Sequence, residues 1–308
     1  MPSNIIQWFP GHMAKTRRLM VESIGLVDLV IEIRDARIPI SSKNPEIDKL
    51  CGNKPRLILL SKSDLANPDV NAMWKRHFES ENVAAVVCDF VSGRGVSDIS
   101  TAIRTLMAEK IARYEAKGMA GKQIRAMIVG IPNVGKSSFI NKLAGGKKAK
   151  VEDRPGVTLN KQWVKTSLGF ELLDMPGVLW PKFEDATVGE NLSMTGAIKD
   201  DVVYTEDVAC KLCGRLRDCA PAALCERYKL GAPDSIVHLE DYEIFELIGR
   251  KRGFLISGGE VNFERTATML LDEFRAGKIG RISLERPSDI AARAEALEAA
   301  QNNKNTEE

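Results

Sequence analysis

Two kinds of apolar spacing divide the chain. Short apolar runs occupy residues 26–33, 56–60, 83–88, 125–129, 162–166 and 170–173, each bounded by polar or turn-forming positions. Runs of this length read as strands, and helix-like segments separate the earlier ones, which predicts a mostly parallel sheet covered on both faces. Only Ser167-Leu168-Gly169 joins the last two runs, so an antiparallel hairpin is expected there. From about residue 200 onward the period becomes helical. Phe263, Ala267, Leu270, Leu271 and Phe274 share one face, and Ile244, Phe245 and Ile248 mark another. The expected organisation is an α/β unit over residues 1–190, a small all-helical unit over 200–286, and a flexible tail over 288–308. That tail is alanine- and charge-rich, which suggests a frayed helix passing into disorder.

Composition narrows the class. A chain of 308 residues can bury two separate cores, and a net charge of +2 does not by itself announce a nucleic-acid binder. No apolar run approaches the ~18–20 residues of a membrane span. Residues 1–11 lack the basic start and apolar centre of a secretory signal, so the cytoplasm is the expected compartment. Cys51 and Cys88 sit in or beside apolar stretches and read as small core residues. Cys210, Cys213, Cys219 and Cys225 open with C-x-x-C, which invites zinc, but the spacing beyond is unlike paired ribbons. Together with Val208, Leu212 and Leu216 they fit one broad apolar helix face.

The chemistry concentrates at Gly130-Ile131-Pro132-Asn133-Val134-Gly135-Lys136-Ser137, which reads G-x-x-x-x-G-K-S between an apolar run and a helical pattern. Such a loop turns backbone N–H groups toward phosphate oxygens, Lys136 adds a charge at the terminal phosphates, and the Ser137 hydroxyl suits Mg²⁺. Asn133, Val134, Gly135, Lys136, Ser137 and Ser138 are the expected phosphate set. Downstream, Asp174-Met175-Pro176-Gly177 places an acid to support the metal through water and a glycine N–H to sense the terminal phosphate. Thr158, in a polar loop between the two motifs, suits metal ligation while that phosphate is present. Ser61-Lys62-Ser63-Asp64 ends the strand at 56–60. Asp64 can accept from guanine N1–H and its exocyclic amine, a donor pair adenine lacks, while the Lys62 stem covers the base face.

In an ordinary small GTPase the phosphate loop precedes the base-reading motif; here the order is reversed. The chain therefore resembles a circularly permuted Ras-like P-loop GTPase, with residues 109–122 as the joint between the old ends. Within that class, Ile6-Gln7-Trp8-Phe9-Pro10-Gly11-His12-Met13-Ala14-Lys15 and Asp35-Ala36-Arg37-Ile38-Pro39 resemble the ribosome biogenesis GTPase A family, which acts late in large-subunit assembly. The resemblance covers residues 5–285 and implies GTP and GDP as ligands, with a large-subunit precursor and its rRNA as partner. It also implies an RNA-binding role for the helical unit.

The chain departs from that pattern in places. Ser61 stands where the family has asparagine, and the shorter side chain should loosen the tie between base loop and phosphate loop. Phe90 replaces a serine at the start of the last base-contact motif, Val91-Ser92-Gly93-Arg94-Gly95, which acts mainly through backbone N–H groups. Val178 follows D-x-x-G where many GTPases carry a water-orienting glutamine. The resemblance points instead to His12, in the turn before a basic helix, as the residue that holds the attacking water. Asn133 matches GTPases that recruit K⁺ to neutralise charge between leaving and transferred phosphates. Three basic clusters suit RNA phosphates: Lys15, Arg17 and Arg18; Lys147, Lys148, Lys150 and Arg154; and Arg250, Lys251 and Arg252. Two readings remain open, a GTP-hydrolysing assembly factor and a nucleotide-gated RNA-binding module in which hydrolysis is incidental.

Overall fold

The computed structural model describes residues 10–144, 162–177, 179, 180, 183 and 185–306. Among these, six strands form one sheet in the order β3-β2-β1-β4-β6-β5. They are β1 (Leu29–Asp35), β2 (Arg56–Ser61), β3 (Ala84–Val87), β4 (Ile124–Val129), β5 (Gln162–Lys165) and β6 (Phe170–Asp174). Every pairing is parallel except β5 with β6, the expected hairpin. The strands that carry the expected base-reading motifs precede those of the expected phosphate loop in the chain.

Alternate residues of β1 point to opposite faces, as the pleat requires. Leu29, Ile31 and Ile33 face one core together with Ile99, Ile103 and Phe139. Val30 faces the other with Met20, Ile47 and Leu173. The covering helices are α1 (Pro10–Ile24), α2 (Pro45–Cys51), α3 (Pro68–Ser80), α4 (Val96–Leu106), α5 (Ala108–Ala116) and α6 (Lys136–Leu143). The expected joint at 109–122 consists of most of α5 and a turn that precedes β4.

β1 runs later than its apolar run suggests. A turn in which Leu26 N–H donates to Ser23 O delays its start. At the other end it continues through Arg34 and Asp35, which are buried as the ion pairs Arg34–Glu32 and Arg37–Asp35. A hydrophobicity criterion stops at Ile33 because it cannot foresee that these charges arrive already paired.

The remaining helices are α7 (Ala186–Met194), α8 (Thr205–Cys219), α9 (Pro221–Tyr228), α10 (Asp241–Lys251), α11 (Phe263–Arg275) and α12 (Asp289–Thr306). Helices α10 and α11 pack on α8 around Leu212, Leu216, Ile248, Leu270 and Phe274. Cys213 and Cys225 are buried in this core, and burial pushes both thiols up. The segment expected to be a flexible tail is helical over Asp289–Thr306. Its first turns are held because Arg293 pairs with buried Glu285 at 3.0 Å and with Asp185 at 3.7 Å. Between α11 and α12 the chain crosses back to the sheet: Leu284 N–H donates to Arg37 O, and Trp74 Nε1 to Glu285 O. None of the described helices is long and apolar enough to cross a membrane.

Candidate nucleotide site

The phosphate loop leaves the end of β4 and enters α6 at Lys136. Gly135 makes the entry possible: its φ is 91°, and an added Cβ would press on the Phe90 ring at 3.3 Å. Asn133 also holds a left-handed φ of 58°, a conformation asparagine adopts more readily than most residues. Its Nδ2 donates to Gly196 O at 2.8 Å, which ties the loop to the chain just beyond α7. Lys136 is buried, and its ammonium folds back to donate to Gly130 O at 2.8 Å and Ile131 O at 3.1 Å. Ser137 and Ser138 follow in the first turn of α6.

Lys136 and Asp174 form the electrostatic centre. Burial pulls the ammonium down to about 8 and pushes the carboxyl up to about 6, while their mutual attraction opposes both shifts. Burial is the larger effect in each, so the pocket disfavours both charges until further charge partners enter. Asp174 Oδ1 is buried with no hydrogen-bond partner among the described residues. An orphaned carboxylate oxygen fits a water held on Mg²⁺, and no group of three or more acidic, histidine or cysteine side chains among the described residues could hold a metal alone. The residues thus fit an ion that is shared with phosphate oxygens. Gly177 completes the centre, because a Cβ there would overlap the Lys136 ammonium and crowd the Pro132 backbone.

The base loop lies against this centre. Ser61 Oγ is 2.7 Å from Val134 O and 2.9 Å from Arg34 O, so its proton serves two carbonyls. The serine therefore keeps the tie to the phosphate loop that its length was expected to lose, because β2 ends directly beside that loop. Lys62 has a φ of 55° and ion-pairs with Asp35 at 3.2 Å. Asp64 is exposed at the loop crest. Phe90, expected to matter little, packs at a tilt on Phe139 with ring centroids 4.9 Å apart and so buttresses the Gly135 turn. Two amides of the last base motif, Val91 and Ser92, donate to the Asp89 carboxylate.

Other expected residues are placed differently. Pro10 starts α1, as proline can at a first helical position, so His12 lies within the first turn of the helix and not in a turn before it. The His12 and Lys15 side chains, Thr158, Val178 and the cluster Lys147, Lys148, Lys150 and Arg154 lie outside the described residues. Arg17 and Arg18 are exposed. The third basic cluster is partly consumed inside the helical unit: Arg250 pairs with Glu246, and Arg252 with Glu273.

Sequence reasoning did not assign a role to Asp35. Its carboxylate accepts from Arg37 N, Nε and Nη2 and ion-pairs with Lys62. Burial alone would raise the carboxyl, but Arg37 and Lys62 outweigh it and hold it well below the usual carboxylate range. The signal was present in Asp35-Ala36-Arg37, a charged pair at the end of an apolar strand.

Comparisons with known proteins agree with this geometry. A family model described as 50S ribosome-binding GTPase matches residues 125–216. Ribosome biogenesis GTPase A of Bacillus licheniformis is 47% identical over 287 residues, covering 93% of this chain and 100% of the relative. The protein of the same name in Priestia megaterium is 48% identical over 286 residues, covering 92% and 98%. Among solved structures, a GDP-bound TM YlqF aligns with a TM-score of 0.62 at 25% identity, over 88% of this chain and 100% of that one. GNP-bound YlqF from T. maritima aligns at 0.59 and 26% identity, over 89% and 98%. With its phosphate loop, D-x-x-G acid and base loop assembled at one end of a permuted sheet, the chain belongs to the ribosome biogenesis GTPase A family.

Proposed function

We propose that this protein hydrolyses GTP as an assembly factor for the large ribosomal subunit, coupling hydrolysis to maturation or release of a precursor particle. The observation that carries the reading is the Ser61–Val134 hydrogen bond, which holds the base loop against the phosphate loop across 73 residues of chain. A site built in two halves suits a ligand with a base at one end and phosphates at the other.

In this reading the loop amides and Lys136 cradle the phosphates, Asp64 selects guanine, and Lys62 covers the base. Ser137, Thr158 and, through water, Asp174 hold Mg²⁺, which neutralises phosphate charge when bound. Gly177 N–H senses the terminal phosphate, and Asn133 recruits K⁺ in place of an arginine finger. His12 holds the attacking water, since Val178 has no group that can orient one. Replacing His12 with alanine should leave GTP binding intact and lower turnover; joint loss of both would make the histidine structural. Exposed Arg17, Arg18, Arg250 and Lys251 supply contacts for rRNA phosphates.

The deciding measurement is GTP turnover in K⁺ and Na⁺ buffers, with and without purified large ribosomal subunits. Stimulation by subunits, greater in K⁺, is expected. Equal rates in the two buffers sink the K⁺ role. Bound GTP without any stimulation favours the nucleotide-gated RNA-binding module, a reading that Val178 supports.

A further inference from the structure

Residues 281–283 follow the helical unit and run along the loop that carries Asp64. Arg281 Nη2 donates to Ser63 O at 3.0 Å and its Nε to Ala66 O at 3.2 Å. Ile282 N–H donates to Leu65 O at 2.9 Å. Asn67 N–H donates to Ser283 Oγ at 3.1 Å. These four bonds grip the backbone on both sides of Asp64, whose side chain takes part in none of them and stays exposed. The approach is close: a Cβ added to Gly277, just past α11, would meet Leu65 Cδ2 at 2.8 Å. A second link arises one strand away, where the Arg37 guanidinium lies 5.4 Å from the Phe274 ring of α11 while its N–H edge ties Asp35, the partner of Lys62.

A short loop such as the one between β2 and α3 offers its carboxylate to a planar base only when its backbone is fixed. Short loops usually gain that rigidity from their own turn. Here Leu65 N–H donates to Lys62 O, Ser63 N–H to Cys88 O and Asn71 Nδ2 to Ser63 O, but the carbonyls of Leu65 and Ala66 are engaged from residues 281–282, and Arg281 adds a second donor to Ser63 O. We propose that Arg281 is a positioning residue for guanine recognition: with Ile282 and Ser283 it sets where the Asp64 carboxylate stands. The inference rests on Asp64 reading the base. It follows that the seating of the helical unit and the affinity for guanine nucleotide are linked, so a partner that shifts the unit loosens the nucleotide and a bound nucleotide steadies the unit.

The test uses the full-length chain and compares equilibrium binding of GDP with that of inosine diphosphate, which lacks the exocyclic amine. Loss of one hydrogen bond to a charged acceptor should give the parent protein a preference for GDP of about tenfold or more. Arg281→Ala should narrow that preference to about threefold or less and raise KM for GTP, while kcat at saturating GTP stays within about twofold. Ser283→Ala removes a single acceptor from the same clamp and should narrow it by a smaller factor. General destabilisation would weaken both nucleotides equally, so an unchanged GDP-to-inosine diphosphate ratio in Arg281→Ala overturns the proposal. If that variant does not fold, an unchanged ratio in Ser283→Ala overturns it equally. A parent protein with no preference removes the base-reading role of Asp64, and the inference with it, before any substitution is made.

Discussion

Lys136→Ala lowers single-turnover GTP hydrolysis by roughly two to three orders of magnitude, the cost typical of removing one preorganised group that stabilises developing charge. The ammonium sits buried beneath the loop, and among the described residues two carbonyls and the Asp174 carboxylate compensate its charge. Burial draws its pKa down to about 8, so the cation is held at a cost that arriving phosphates repay. Alanine removes the charge, leaves Gly130 O and Ile131 O without this donor, and takes away the attraction that, among the described residues, lowers the Asp174 carboxyl. Stability should move the other way. Without nucleotide, the variant should melt at the same temperature as the parent or slightly above it, because a poorly compensated buried charge has gone. Rapid-quench hydrolysis and thermal melting read the two effects separately. Turnover within threefold of the parent would remove Lys136 from the chemistry.

The second large effect concerns stability. Glu285 is fully buried and receives Ile40 N–H at 2.6 Å, Ser41 N–H, Ser41 Oγ, Asn191 Nδ2 at 2.9 Å and the Arg293 guanidinium. The carboxylate thereby joins the turn after β1, helix α7 and the start of α12. Removing one partner of a buried, hydrogen-bonded ion pair leaves the others desolvated and unpaired, which costs about 3–5 kcal/mol. Glu285→Ala should shift the urea midpoint downward by that amount at constant slope. Glu285→Gln should cost less, since the amide keeps one acceptor, though its NH₂ now meets donors. A loss below about 1 kcal/mol for the alanine variant would place Glu285 among ordinary surface charges.

Much of the proposed site is legible in the sequence because its motifs are local. A loop that must curl around phosphate needs small residues at fixed offsets, so Gly130 to Ser137 declared itself, as did the aspartate and glycine at the end of β6. Strand limits were less legible wherever burial depended on pairing. Arg34 and Asp35 look like the end of a strand until their ion partners are known. Ser61 was misjudged for a related reason. Side-chain length matters only against the distance to be spanned, and the closeness of β2 to the phosphate loop is a property of the sheet. Arg281 and Glu285 left no trace at all. Arg281 reaches Ala66 across 215 positions and Glu285 reaches Ile40 across 245, and no period or spacing reports a contact of that kind.

That separation has a consequence for synthesis. A ribosome delivers a chain from its N-terminal side, so β1, β2 and the loops that follow them emerge long before residues 281–285. At ordinary elongation rates of about 5–20 residues per second, the 215 positions between Ala66 and Arg281 take on the order of 10–40 s. Throughout that interval the amides of Ile40 and Ser41 and the carbonyls of Leu65 and Ala66 have water in place of the partners they will keep. The nascent sheet can form, but the loop that carries Asp64 is finished only by chain made 215 positions later.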